Sequence, residues 1–189
     1  MKWVFVLAAF LLPAAARSEG LTRGPSEAAQ PFAERVIPLR PDDDAHVLET
    51  RWNGRPVIFV DVAQGQDRRL LALEPAADGG YRKLDVTTAE EEGGLADVAA
   101  IGFADHGAAQ RLIVILTWPV QHADVSGTLY EVRIFEDARP GQTKPAFLKA
   151  LSDRFSANSC DCDRGDGKPE HYRFKTIASV KAELKRLGL

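Results

Sequence analysis

The dipeptide Asn53-Gly54, set between the extended runs HVLETRW (46–52) and RPVIFVDV (55–62), constrains the fold more than any other feature. A two-residue hairpin that follows the twist of its own strands needs positive φ at both turn positions, and Asn-Gly meets that demand at little steric cost. Antiparallel pairing is therefore expected here. Pro56 has no N–H to give a ladder and belongs at a strand start or an outer edge. Comparable runs follow: RLLALE (69–74) after a turn holding Gly65, YRKLDV (81–86) after PAADGG, then VAAIGFA (98–104), RLIVILTW (111–118) and SGTLYEVRIFE (126–136). RLIVILTW is almost continuously apolar, which predicts a central strand buried on both faces. The last run alternates and places Tyr130, Val132 and Ile134 on the core side. TTAEEEGG (87–94) reads as an acidic loop. About seven strands at this spacing predict an antiparallel β-meander.

The final 45 or so residues change period. In PAFLKALSDRF (145–155) a proline at a first helical position precedes Phe147, Leu148, Leu151 and Phe155 at spacings of three and four, which predicts a helix. A Cys/Asp/Gly loop (156–169) follows, and HYRFKT (171–176) allows one more strand. IASVKAELKRLG (177–188) carries an apolar stripe of Ile177, Val180, Leu184 and Leu187, with Thr176 as its cap and Gly188 as its stop. The fold class expected is mainly β (α+β): one domain over 35–189 with two amphipathic helices in a C-terminal part that begins near 145. Residues 17–34, polar and interrupted by Pro25 and Pro31, read as a flexible leader, with order beginning near Val36.

The N-terminus gives an address. Met1-Lys2 precedes the apolar run from Trp3 to Leu12, Pro13 breaks it, and Ala14-Ala15-Ala16 is a small-residue cleavage site. That is the layout of a signal peptide over 1–16, too short to span a bilayer of roughly 30 Å. A periplasmic or secreted protein is expected, without a membrane span once the signal is removed. With a net charge of −3 and a pI near 5.8, the chain as a whole is not expected to bind nucleic acid. From Arg164 onward seven Lys/Arg face three Asp/Glu, and cations late in the last helix complement its dipole.

Cys160 and Cys162 are the two cysteines of the chain. In an oxidising compartment they can form a tight disulfide, join His171 in a zinc site, or serve redox or intermolecular pairing. The same loop sets Asp161, Asp163, Asp166 and Glu170 around Gly165 and Gly167. That is either an oxygen-ligand loop for Ca²⁺ or a solvated Asp/Gly turn. The catalytic inventory is thin. G-x-S-x-G, H-E-x-x-H, P-loop and G-x-G-x-x-G signatures are missing, and the pairs His122/Asp124 and Asp105/His106 lack a third group in the sequence nearby.

Two short resemblances narrow the field. IGFADHGAAQRLIVIL (101–116) resembles the strand–acidic loop–strand unit of FG-GAP (integrin-like) repeats, with Asp105 and Gly107 keeping the loop chemistry. The likeness implies a hairpin, and a single unit cannot close a propeller. Ser126-Gly127-Thr128-Leu129-Tyr130 is similar to the SGxxY motif of bacterial periplasmic lysozyme inhibitors. That resemblance implies an inhibitory surface containing Ser126, Gly127 and Tyr130, which engages the active-site cleft of lysozyme. The leading expectation is thus a non-enzymatic exported module that binds an envelope or secreted protein. The alternative is a Ca- or Zn-binding protein using the 160–171 loop, or a hydrolase using His122/Asp124.

Overall fold

Asn53 and Gly54 adopt φ of 50° and 74°, and the hairpin they close is the first of five along the chain. The computed structural model describes residues 21–40, 43–90, 94–157 and 159–189. The signal segment expected over 1–16 lies outside them. Strands β1 (Ala45–Trp52), β2 (Arg55–Gln64), β3 (Asp67–Pro75) and β4 (Tyr81–Ala89) form one antiparallel meander in sequence order. Strands β5 (Asp97–His106), β6 (Ala109–His122) and β7 (Val125–Glu136) form a second. There β7 pairs along Val125–Leu129 with β9 (Cys160–Arg164) and at its end with the short β8 (Ala146–Phe147).

The seven expected strands are all present, but they do not make one continuous meander. β4 and β5 do not pair with each other, and the connection between them carries the chain from one sheet to the other. The reason is packing. A sheet with apolar residues on both faces needs cover on both. Val57, Phe59, Leu70, Ala72 and Leu84 of the first sheet meet Leu112, Val114, Leu116, Trp118 and Phe135 of the second in a middle core. Trp52, Phe59 and Phe103 cluster there at centroid distances of 6.2–6.4 Å, Trp52 stacked on Phe103 and Phe59 tilted against both. Polar contacts lock the same interface. The Trp52 indole N–H donates to the Gln110 carbonyl at 2.9 Å, and Arg133 of β7 donates to the Thr88 carbonyl at 2.7 Å.

Each outer face has its own cover. Helix α1 (Ala29–Val36) buries Phe32 and Ala33, followed by Ile37, against Ile58, Val60, Val62, Leu71 and Leu73. Residues 29–34 of the leader expected over 17–34 are thus packed helix, and 17–20 lie outside the described residues. Pro31 falls in the first turn of the helix, where the missing N–H costs no hydrogen bond, and the Leu21 carbonyl accepts from Tyr81 N at 2.7 Å. The opposite face, with Ile113, Ile115, Val132 and Ile134, is covered by Phe155, Tyr172, Val180 and Leu184.

Helix α3 (Ile177–Arg186) starts at a capping box. Thr176 Oγ1 accepts from Ser179 N at 3.2 Å, and Ser179 Oγ accepts from Thr176 N at 3.3 Å. The helix expected over 145–155 shrinks to α2 (Lys149–Ser152) and one 3₁₀ turn (Asp153–Phe155). Phe147 leaves the helical stripe to pair with Phe135 in β8, its ring 5.3 Å away. HYRFKT is not a strand; the extra strand is CDCDR, which the sequence places in a loop. The result is four layers: helix, sheet, sheet, helices.

Candidate functional site

The start of β7 lies beside β9, and this edge unites two segments that the sequence analysis treats separately. Val125 pairs with Arg164, Ser126 with Asp163, Gly127 with Cys162, Thr128 with Asp161 and Leu129 with Cys160. Beyond the strand, Glu170 N donates to the Cys162 carbonyl at 2.8 Å and Cys162 N to the Glu170 carbonyl at 2.9 Å. Cys160 and Cys162 are joined as a disulfide. No free cysteine is found among the described residues.

Gly127 lies hard against β9. At its φ of 154° an added Cβ would stand 2.3 Å from the Asp161 carbonyl oxygen and 2.7 Å from Cys162 Cα. Only glycine fits there, so its presence is a packing requirement of the β7–β9 pair. Ser126 is exposed. Tyr130 is half-buried, its ring stacked 5.2 Å from that of Tyr172, and it packs against the outer core of the second sheet. Of the three residues carrying the lysozyme-inhibitor resemblance, one is free at the surface, one is fixed by packing and one keeps part of its ring accessible.

A cleft of about 250 Å³ opens beside them, lined by Ser126, Gly127, Asp161, Asp163, Glu170 and His171, with Cys162 behind. Its charges are partly engaged. Asp161 accepts from Lys175 Nζ at 2.8 Å and lies 3.3 Å from His171 Nδ1. The Lys175 ammonium, helped by His171, holds the Asp161 carboxyl below its ordinary range, and Asp161 in turn raises the lysine. Glu170 pairs with Arg164 at 2.6 Å, and Asp166 accepts from Lys168 N at 3.1 Å.

Of the expected metal ligands Asp161, Asp163, Asp166 and Glu170, three are taken up by separate partners and Asp163 is exposed. Among the described residues no three His, Cys, Asp or Glu side chains converge as a metal site. The physical reason is competition: Asp161 and Asp163 share a face of β9, but Lys175 holds Asp161 and Arg164 holds Glu170, so the carboxylates do not turn to a common point.

The other expected pairs lie elsewhere. His122 and Asp124 are exposed at the β6–β7 turn, where the Asp124 carbonyl accepts from Gly165 N at 2.7 Å. Asp105 and His106 are exposed at the β5–β6 turn, and Asp105 accepts from Gln110 Nε2 at 3.1 Å. Among the described residues neither pair has a third polar partner suited to general acid–base work. Sequence reasoning missed Tyr172 and Lys175, which back the cleft. Their signal was HYRFKT, whose alternation was legible as Tyr172 and Phe174 facing inward while Arg173 and Lys175 stay exposed.

Comparison with known proteins finds no match: no family model, no curated protein and no solved structure is similar enough to count as one.

Proposed function

We propose that the protein is an exported, non-enzymatic binding module that takes a secreted or envelope protein at the β7–β9 edge, with inhibition of lysozyme as its sharpest form. The observation that carries this reading is the exposure of Ser126 at the mouth of the 250 Å³ cleft, on a backbone held from both sides. A binding surface gains most when its contact groups are ordered before the partner arrives, because less entropy is lost on association. Here the disulfide, the five paired positions of β7 and β9 and the Cys162–Glu170 bridge supply that order. The carboxylates of Asp163 and Glu170 at the rim favour a partner with a basic surface and speed its encounter. The SGxxY resemblance supplies the identity of the partner, and the signal peptide reading supplies the compartment.

The test is direct. Purified protein is added to a lysozyme assay on bacterial cell walls, and the lysis rate is measured beside a Ser126→Lys variant. Ser126 is exposed, so the variant should fold as the wild type does. Wild type should slow lysis and the variant should lose at least tenfold of that effect. Unchanged lysis at protein concentrations of order 10 µM, well above the Kd range of inhibitory complexes, rejects the lysozyme form.

A further inference from the structure

Of the sheet edges, β5 alone is neither covered nor charged along its middle among the described residues. At the outer side of β4, Tyr81 N donates to the Leu21 carbonyl at 2.7 Å and Asp85 N to the Thr143 carbonyl at 2.8 Å. β7 is paired by β8 and β9, and β1 carries His46, Glu49 and Arg51. β5 instead runs uncharged from Val98 to Ala104 (VAAIGFA) and holds no proline. A bulge at Ala99 interrupts only its start. Among the described residues no hydrogen bond reaches its backbone outside the ladder with β6, and Ile101, Gly102 and Phe103 stay half-buried. Edge strands are ordinarily guarded by charge, proline or cover, so a bare apolar one is a template for another strand.

The first sheet marks where that strand belongs. Leu48 stands opposite Phe59 in the β1–β2 ladder and so shares its face, the one turned to the middle core. Phe59 is buried there, yet Leu48 is 45% exposed. The second sheet therefore stops short of β1. The gap is a pocket of about 220 Å³, lined by Leu48, Val98, Ala99 and Ile101, with His46 and Asp61 farther along the same strands. Asp61 accepts from the buried Arg68 at 2.6 Å, and the largely exposed Asp44 and Asp97 each lie 3.8 Å from the same guanidinium. Three carboxylates around one arginine leave this end of the gap negative. From this we infer that β5 takes an extended peptide as a further strand. Its backbone pairs with the bare edge, alternate apolar side chains fill the gap beside Leu48, and a lysine or arginine at its end meets Asp44 and Asp97. Backbone pairing supplies the affinity and the gap supplies the selection. β5 and β7 flank β6 on opposite sides, so this surface is separate from the β7–β9 edge and does not depend on the reading given to that edge.

The probe is the peptide acetyl-Lys-Val-Thr-Val-Thr-Val-Lys amide, titrated calorimetrically into the purified chain. It should bind one per chain, and a comparator with glutamate for both lysines should bind about tenfold more weakly because the rim is acidic. Two N-methylated forms test the backbone. Methyls on the alternate amides of one edge should abolish binding, and methyls on those of the other edge, which face away from β5, should leave it within about threefold. Leu48→Arg should lose at least tenfold of the affinity while melting as the wild type does, because the position is already part-exposed. Ser126→Lys should bind the peptide as the wild type does. Absence of binding at about 1 mM peptide overturns the inference, as do equal binding of the glutamate form and binding that survives both methylation patterns. Sedimentation should show the peptide-free chain as a monomer. A dimer that Leu48→Arg dissociates would give the edge to a second copy and overturns the peptide as its occupant.

Discussion

Tyr172 joins the candidate cleft to the core behind it. Its ring is buried between Tyr130 and Phe174, and its hydroxyl donates to the Phe155 carbonyl at 2.7 Å. Burial pushes the phenol well above its ordinary range, with the nearby Glu131 carboxylate adding to the rise. The sign follows from linkage. The fold favours the neutral phenol, while the unfolded chain ionises near the ordinary pKa of about 10. The stability this residue contributes is intact below pH 10 and is lost as the pH climbs from there toward the raised value. Melting temperatures between pH 8 and pH 12 should fall steeply in wild type and less steeply in Tyr172→Phe. At neutral pH the variant should be less stable by about 1 kcal/mol for the lost hydrogen bond. Equal alkaline slopes would show that another group governs the loss.

Helix α1 is the element that sequence patterning reads least well. Asn53-Gly54 and RLIVILTW carry their structure locally, one through turn geometry and the other through unbroken apolarity, and both were legible. The capping residue and apolar stripe of α3 were legible for the same reason. Phe32, Ala33 and Ile37 become a pattern only once the outer face of the first sheet exists to receive them, and two prolines nearby argue against a helix until their positions in it are known. β9 is hidden in another way: CDCDR has no apolar alternation, and its strand geometry comes from pairing with β7. The candidate site was legible in pieces, as Ser126-Gly127 and as the Cys/Asp loop, and its unity was not, because 37 positions separate Ser126 from Asp163, its partner in β9. Phe32 offers the measure of what α1 contributes. It is fully buried against Tyr81 at a centroid distance of 4.8 Å, so Phe32→Ala should cost about 3–5 kcal/mol in urea unfolding. A loss below 1 kcal/mol would mean that the outer layer adds little to the sheet beneath it.

The four layers are coupled because each sheet presents one face to the middle core and the other to a helical cover. Val60 and Phe59 are adjacent in β2, yet the first belongs to the α1 layer and the second to the space between the sheets. A strand cannot loosen on one face without moving the other. Trp52 and Trp118 report from the middle core, where both are buried and where their indole N–H groups donate to the carbonyls of Gln110 and Glu90. Neither touches α1. If the layers unfold together, Phe32→Ala should lower the urea midpoint seen by tryptophan fluorescence as much as the midpoint seen by far-ultraviolet circular dichroism. If α1 instead melts on its own, the dichroism curve should acquire an early phase while the fluorescence midpoint stays at the wild-type value. Coincident shifts are expected, since the shared strands leave no plane along which one layer can part from the rest.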